Sequence, residues 1–509
     1  MHENDESVWM IVNTSLRVTQ RLFRVKGVIG IENQDFPAAL WLAEPDGNFE
    51  RDGAVGIASF DTKRGVSLEV PIGSISLNDI PDTLTHEHCE YPRLYGYGRS
   101  DDRITLVDAF GAGGFSFPGF PRENWHAQWA IVSREQFFEK DPLVDHATVT
   151  VDGLFEWCRQ NPVKGLTRYK DGRWLDTEIS SSYEALKDIP LYESENMAVS
   201  ISPVVRVGGG ELPLKTQSLT SDYHLSFKFV NDLPTLSVAI HERIIPFRDL
   251  LSVLMGFRAE IHSISLSGPG LNKSIKVYIP LVEAHHDSLP KHAFQQMPLT
   301  YPKVIGRLQS MTEKWLSLPD DAQRAASILL GFLANQHVPY LEYKFIAAAS
   351  ALEAISRVDH KTTEVEPEEF ERRLSVIGKS ITEKKARDWA MTHLAHSNSV
   401  AAGVLADQML GELDPYSSFI VPDLKRFKRD HRNARNAYVH QSDNVSNGTA
   451  IHGQELHDHT EAVLFLVWGK LLNLLGIPPQ ELIDALKGSS FRWNDLHLAR
   501  HMYEIKQKK

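Results

Sequence analysis

Short hydrophobic segments with a two-residue period dominate roughly the first three hundred positions of the chain. GAVGIASFD, GVSLEVPIGSISL, DRITLVDAF and YHLSFKFV are examples; they favour Val, Ile, Phe and Thr, and Gly, Asp, Asn and Pro separate them. Alternation between such turn residues is typical of β-strands that bury one face. Helical pieces, such as residues 247–255, are few. We therefore predict a β-rich region over residues 1–298.

The period changes from about Leu299 onward. DDAQRAASILLGFLANQ, YLEYKFIAAASALEAISR and HTEAVLFLVWGKLLNLLG repeat apolar residues every three or four positions, which is the period of a helix with a buried face. Prolines lie near the points where these segments begin or break. These features predict a helical bundle over residues 299–509. The expected fold class is α+β and multidomain, with a β-rich N-terminal half followed by an all-α half.

Composition excludes several classes of protein. The chain is 42% hydrophobic and 24% charged, as in ordinary globular proteins. Its two cysteines, Cys89 and Cys158, exclude a disulfide framework and favour a reducing, cytoplasmic location. The first residues lack the basic and apolar segments of a signal peptide. The longest apolar stretch, residues 462–477, is interrupted by Lys470 and Asn473. It is shorter than the ~20 residues of a membrane span, so we predict a buried core helix there.

The net charge of −12 disfavours binding of nucleic acid over the whole surface, so any such site requires a local basic patch. The clearest patch lies in a predicted helix over residues 423–440. One side of this helix is mostly apolar and carries Leu424, Phe427, His431, Ala434 and Tyr438. The neighbouring side carries Lys425, Lys428, Arg432 and Arg435. This charge fits either a solvated helix face, favoured by the helix dipole near the C-terminus, or a surface that binds phosphates.

The same helix ends in Arg435-Asn436-Ala437-Tyr438-Val439-His440. An Arg and a His at this spacing also arise by chance in a chain with 22 histidines, as Arg426 and His431 do. Three features distinguish the later pair, and one is that its helix is the penultimate major one of the predicted bundle, before the strongly apolar segment 462–477. Asn436 follows the Arg directly and lies one helical turn before His440, so the amide and the imidazole share a face. His440 also closes the helix, before the turn-forming segment QSDNVSNG.

A helical domain in which a late helix ends in Arg-Asn-x-x-x-His resembles the HEPN superfamily. The whole chain resembles ApeA-type anti-phage proteins, which join a β-rich N-terminal region to a C-terminal HEPN domain. Residues 340–357 resemble the HEPN helix with a Glu, here Glu353, in an otherwise apolar face. The run from FDTKRGVSLEVPIGS to ENWHAQWAIV resembles the ApeA N-terminal pattern. Gln441 and Ser442 follow His440, so the His-x-Tyr extension of some HEPN toxins is absent, and regulation through that tyrosine is not expected.

The resemblance implies an endoribonuclease that uses no metal and no cofactor, acts in anti-phage abortive infection, and cuts tRNA or mRNA. The implied products are a 2′,3′-cyclic phosphate and a 5′-OH. The implied site residues fall into three groups: Arg435, His440 and Asn436 for catalysis; Lys425, Lys428 and Arg432 for binding RNA; and Glu353, which would pair with Arg435 or anchor the site. Glu353 fits a purely structural ion pair within the bundle equally well.

The chemistry of these residue types suits that reaction. His440 can act as a base or as an acid near neutral pH. The planar guanidinium of Arg435 can bind two phosphate oxygens. The two residues lie about 140° apart around an ideal helix, so one copy converges poorly on one phosphate. The family solution is a homodimer in which two such helices face each other.

Two alternatives remain open. The helical domain could be a non-catalytic HEPN module that dimerises or binds RNA without cutting, although binding alone does not require the imidazole. The β-rich half could instead be the functional part, as a ligand-binding or protein-binding domain. By resemblance, that half would sense a phage-derived trigger and restrain the ribonuclease. The segment His86-Glu87-His88-Cys89 lacks a second ligand pair at a zinc-site spacing, so we predict a polar loop and no metal site.

Overall fold

The computed structural model describes most of the chain. The described residues are 33–42, 54–61, 65–72, 75, 90–98, 102–117, 120–161, 163–170, 173–184, 186–209, 217–279, 293–334, 340–395, 397–439 and 450–504.

The N-terminal half is built from β-strands with short helical insertions. Its strands are β1 (Asn33–Leu42), β2 (Ala54–Asp61), β3 (Gly65–Ile72), β4 (Glu90–Gly98), β5 (Arg103–Phe117), β6 (Phe120–Ser133), β7 (His146–Val151), β8 (Val163–Lys170), β9 (Arg173–Tyr183), β10 (Ile189–Glu193), β11 (Met197–Gly209), β12 (Gln217–Phe229), β13 (Ile261–Ser267) and β14 (Ile275–Tyr278). Its helices are α1 (Leu154–Cys158), α2 (Leu236–Val238) and α3 (Ile245–Met255), and a π-helical turn over Ala239–Ile244 joins the last two.

The first six strands close into an antiparallel ring. β6 pairs with β3 and β5, and β2, β1 and β4 complete the circuit. Most side chains inside the ring are apolar, and Trp41 and Trp125 are almost completely buried. A Cβ atom at Gly96 would lie 2.8 Å from the Trp41 ring, so glycine is required where the indole crosses β4. The alternating pattern of the sequence thus corresponds to the inner and outer faces of this ring.

A second antiparallel sheet continues from the far edge of β6. Its order is β14, β13, β7, β12, β11 and β10. The edge of β6 is divided, since residues 123–127 pair with β3 and residues 130–132 pair with β14. α3 packs on this sheet, where the rings of Phe227 and Phe247 meet edge to face at 5.4 Å.

The C-terminal half is helical, as the sequence predicted. Its helices are α4 (Tyr301–Val304), α5 (Leu308–Leu316), α6 (Asp320–Ala334), α7 (Leu341–Ile355), α8 (Pro367–Ser380), α9 (Lys384–Leu394), α10 (Ala402–Glu412), α11 (Tyr416–Ile420), α12 (Leu424–Tyr438), α13 (Gly453–Leu474), α14 (Pro479–Lys487) and α15 (Trp493–Met502). The predicted fold class, a β-rich half followed by a helical half, is confirmed.

α13 forms the centre of the bundle and packs on α7 and α15. The apolar stretch that begins at residue 462 lies in its buried C-terminal part, so the predicted core helix is confirmed. Lys470 is buried as well, and its ammonium group donates to Glu412 at 2.9 Å. Within the described parts of the chain, no helix combines the length and apolar character needed to cross a lipid bilayer.

One hydrophobic core runs through both halves. It contains buried residues from Val107 to Tyr503 without interruption between the second sheet and the bundle. Tryptophan indoles join the two halves by hydrogen bonds as well. Trp468 Nε1 donates to the Val253 carbonyl at 3.0 Å, and Trp157 Nε1 donates to the Leu299 carbonyl at 2.7 Å. The predicted division at 298/299 therefore lies where strands give way to helices, and the two parts share one hydrophobic core.

Candidate active site

The basic helix of the sequence is α12. It begins after Asp423, whose carboxylate accepts a hydrogen bond from the Arg426 amide at 3.0 Å and caps the helix. Phe427 and Ala434 are buried against the bundle, as the apolar period predicted. Lys425 and Arg432 lie on the opposite, exposed side. The helix is thus fixed through one face, and most of its positive charge remains on the surface.

Arg435 lies at the edge of α12 next to α7, and its guanidinium is held by Glu353. Arg435 Nη2 donates to Glu353 Oε2 at 2.6 Å, and the two side chains are 32% and 26% exposed. The other carboxylate oxygen accepts from Arg357 Nη2 at 2.8 Å. The predicted contact between Glu353 and Arg435 is therefore present. Arg357 was not predicted, although its position four residues after Glu353 on one helix is the signal that could have identified it.

The three lysine and arginine residues predicted to bind RNA differ in their surroundings. The Lys428 ammonium pairs with Asp407 of α10 at 2.8 Å. Lys425 and Arg432 are exposed and form no ion pair with any described residue. Asn436 is partly exposed on the same outer side. Lys425 and Arg432 are thus available to an anion, whereas Lys428 would first have to leave its carboxylate.

His440 lies outside the described residues, as does the segment that follows it up to residue 449. α12 ends at Tyr438, whose hydroxyl donates to the Ile451 carbonyl at 3.0 Å. The catalytic roles of His440, Arg435 and Asn436, and the RNA-binding roles of the neighbouring cations, therefore stay predictions.

A buried polar chain lies behind α12. His431 Nδ1 shares a hydrogen bond with His459 Nε2 at 3.0 Å, and His459 Nδ1 shares one with the Tyr503 hydroxyl at 2.5 Å. The rings of Phe345 and Phe427 enclose the imidazoles. His459 is completely buried. The chain ties α12 to α13 and to the end of α15.

The hydrogen-bonded series of His431, His459 and Tyr503 should make the free energy of unfolding depend on pH. Burial, together with the charge of Arg435, lowers the pKa of His431 from 6.5 to about 4. Burial also lowers the pKa of His459 well below its usual value. Both imidazoles are then neutral at pH 7, and below pH 6.5 the unfolded chain binds protons that the folded chain does not. The stability is therefore fully present above pH 6.5 and is lost as the pH falls towards 4, by roughly 3 kcal/mol for His431.

The measurement is the free energy of urea unfolding at half-unit steps between pH 5 and 8. His431→Leu should flatten the decrease below pH 6.5, because one of the two depressed imidazoles is gone. His393→Leu is the matched control, since that histidine is exposed. An equal slope in wild type and His431→Leu would contradict the expectation.

No group of three or more side chains able to hold a metal ion occurs among the described residues. The segment His86-Glu87-His88-Cys89 lies outside them. The described groups of α12 that could bind or react with a substrate are the partly exposed guanidinium of Arg435, the adjacent amide of Asn436 and the exposed Lys and Arg side chains.

Two models of protein families match the chain. One, described as ApeA N-terminal domain 1, matches residues 39–315, which is more than half of the chain. The other, described as Apea-like HEPN, matches residues 346–481. The second range contains every site residue predicted above. No significant match is found among curated proteins or among solved structures.

Proposed function

Because the chain belongs to the ApeA family and ends in a HEPN domain, we propose that it is a metal-independent endoribonuclease of anti-phage defence. Family membership supports a nuclease or RNA-related role in defence. The observation that supports the finer proposal is the position of Arg435 and its contact with Glu353. It is directly followed by Asn436, stands at the surface of a basic helix, and is held by a single carboxylate, that of Glu353.

The reaction needs little from the protein beyond positioning and proton transfer. In RNA the ribose 2′-OH lies beside the phosphorus that it attacks. As it attacks, the bond to the 5′-oxygen breaks, which gives a 2′,3′-cyclic phosphate and a 5′-OH. His440 would take the proton from the 2′-OH or give one to the leaving oxygen. Arg435 would stabilise the negative charge that builds up on the phosphate oxygens.

Glu353 would act as a positioning residue. It engages one nitrogen of Arg435, so the remaining N–H groups of the guanidinium stay available for phosphate. Its second oxygen binds Arg357, and the pair of arginines outweighs the one carboxylate. The cluster of Glu353, Arg357 and Arg435 thus carries a net positive charge. Its attraction for a phosphate near Arg435 should exceed the repulsion between that phosphate and the Glu353 carboxylate.

Flanking phosphates would bind along the exposed side of α12. Lys425 and Arg432 should contribute most, because neither is committed to a carboxylate in the described structure. Lys428 should contribute less, since binding RNA would break its contact with Asp407. Asn436 would orient His440 or hold a phosphate oxygen. The substrate would be tRNA or mRNA in the cytoplasm.

A homodimer would complete the site. Arg435 and His440 are separated by about 140° on a regular helix, so two copies of α12 facing each other would bring an Arg of one copy towards a His of the other. Exposed apolar side chains occur at this end of α12 and at the start of α7, namely Val439, Tyr340 and Tyr343. They offer a surface for the second copy. The β-rich half would keep the activity at a low basal level until a phage-derived trigger binds.

The test is the chemistry of the products. Purified protein is incubated with a labelled RNA in excess EDTA, and with the same RNA carrying a 2′-deoxy substitution at the cleaved nucleotide. We expect cleavage of the first, with cyclic phosphate ends, and none of the second. Cleavage of the 2′-deoxy RNA, or a requirement for a divalent ion, would overturn the proposal. Tight binding without cleavage would favour the non-catalytic alternative.

A further inference from the structure

A helical hairpin formed by α8 and α9, which we term the arm, lies outside the shared core. Backbone pairing of Thr363 with Ser399 closes its base, and Asn398 forms two hydrogen bonds with the backbone of Val365. Leu374 is the buried residue of α8, and α9 has none. No residue of the arm belongs to the core that joins the two halves. The arm therefore adds little to the stability of the bundle.

The arm leaves the bundle beside the candidate active site. Before it, α7 ends close to Arg357, which shares Glu353 with Arg435. After it, α10 supplies Asp407, the partner of Lys428. Both ends of the arm are thus anchored to elements that contact α12.

The outer face of α9 combines an exposed aromatic ring with positive charge. Trp389 is 64% exposed, and the ring of His393 lies against it with centroids 4.5 Å apart. Lys385, one turn earlier, is exposed on the same stripe. α9 carries three Lys or Arg against a single Asp. None of these cations forms an ion pair with a described residue.

The two helices of the arm differ in how their charges are used. On α8, Arg372 and Arg373 both bind Glu369, at 2.7 and 2.8 Å. Over its whole length α8 carries three Glu against three Lys or Arg, so its charge is balanced within the helix. On α9, the cations beside Trp389 remain uncompensated. The partner of the arm should accordingly be a polyanion that also presents flat aromatic surfaces, and it should bind α9.

We propose that α9 binds an unpaired segment of the RNA substrate, with a base stacked on Trp389 and neighbouring phosphates held by Lys385. Stacking on an aromatic side chain is available only to bases that are not paired. The inference rests on the proposed function and makes it more specific. The substrate would be an RNA with a single-stranded stretch long enough to contact both Arg435 and Trp389.

Binding is measured separately from cleavage. The full-length His440→Ala chain is titrated into a fluorescent single-stranded RNA of about 20 nucleotides, and into its duplex, at several salt concentrations. Trp389→Ala in this background should weaken binding of the single strand about 5- to 100-fold, and Trp389→Phe should retain most of the affinity. Lys385→Ala should reduce the salt dependence by about one counterion. Trp389→Ala should leave the affinity for the duplex unchanged, because paired bases cannot stack on the indole.

Val376→Ser is the matched control, because Val376 is an exposed apolar residue of α8. It should bind RNA like its parent. Equal affinity of Trp389→Ala and its parent for the single strand would overturn the inference, as would an effect of Trp389→Ala on self-association but not on RNA binding. The binding result does not depend on catalysis. If wild type fails to cut RNA while Trp389 still determines affinity, the proposed function fails and the arm's RNA binding stands.

Discussion

Arg435→Ala and His440→Ala are each expected to lower the rate of RNA cleavage on the order of 10³-fold without unfolding the protein. Arg435→Ala removes the contacts that would stabilise the charged transition state, and His440→Ala removes the group that would transfer the proton. Arg435 is partly exposed, at 32% of its side chain, so its truncation leaves no cavity. The measurement is the initial rate on a defined RNA, with circular dichroism and thermal unfolding to compare the folds.

Arg429→Ala is the matched control for the loss of a cation from α12. Its side chain is 61% exposed, and it pairs with its neighbour Asp430. It should retain cleavage within a few-fold of wild type at moderate salt. If Arg435→Ala and His440→Ala both cut RNA at the wild-type rate, the ribonuclease activity does not reside in α12. The β-rich half would then be the place to search.

Variants of Glu353 separate positioning from contact. Glu353→Ala frees the guanidinium of Arg435 to move and should reduce the turnover number more than it changes the Michaelis constant. Glu353→Gln keeps a hydrogen-bond acceptor and should recover part of the loss. Arg357→Ala removes the other cation from the same carboxylate, so it measures how much of the effect is a general change of charge.

The sequence predicted α12 well because its signal is local. Leu424, Phe427 and Ala434 recur with the period of a helix, and they face the bundle in the structure. The polar partners of α12 could not be predicted from the sequence in the same way. Lys428 meets Asp407 through the packing of two helices, and no pattern along the chain indicates that contact. A row of cations in a sequence therefore overstates the charge that is free to bind RNA.

The chain from His431 through His459 to Tyr503 illustrates the same limit. His431 lies in α12, His459 lies in α13 and Tyr503 directly follows α15, and their alignment exists only once the bundle has folded. The contact between Glu353 and Arg435 is also non-local, but family resemblance had already indicated it. In the β-rich half, alternation located strands such as β5. It could not indicate that β6 would divide one edge between β3 and β14, because strand pairing is not encoded in the period.

α13 connects the two halves physically. Near its start, His459 binds His431 of α12. Near its end, Trp468 donates to Val253 of α3, and its ring lies 5.4 Å from that of Phe491. A Cβ atom at Gly256, just after α3, would meet the Phe491 ring at 2.4 Å. The proposed restraint by the β-rich half would have a structural route here, from α3 through one buried helix to the back of α12.

Trp468→Ala is expected to destabilise the whole protein by about 3–5 kcal/mol, because it removes a fully buried indole from the shared core and leaves the Val253 carbonyl without its donor. Trp468→Phe keeps most of the volume and should cost about 1–3 kcal/mol. The measurement is urea unfolding followed both by far-ultraviolet circular dichroism and by tryptophan fluorescence. Since the core is continuous, both probes should report one coincident transition for wild type and for each variant.

The same continuity predicts how fragments behave. A fragment of residues 299–509 exposes the apolar surface that the second sheet and α3 cover in the full chain, so we expect it to aggregate. Co-expression with residues 1–298 should restore a soluble complex, because the two surfaces are complementary. A folded, soluble and toxic 299–509 fragment would contradict this and would establish 298/299 as a true domain boundary. In that case the β-rich half would restrain the ribonuclease by docking, and its removal alone would release the activity.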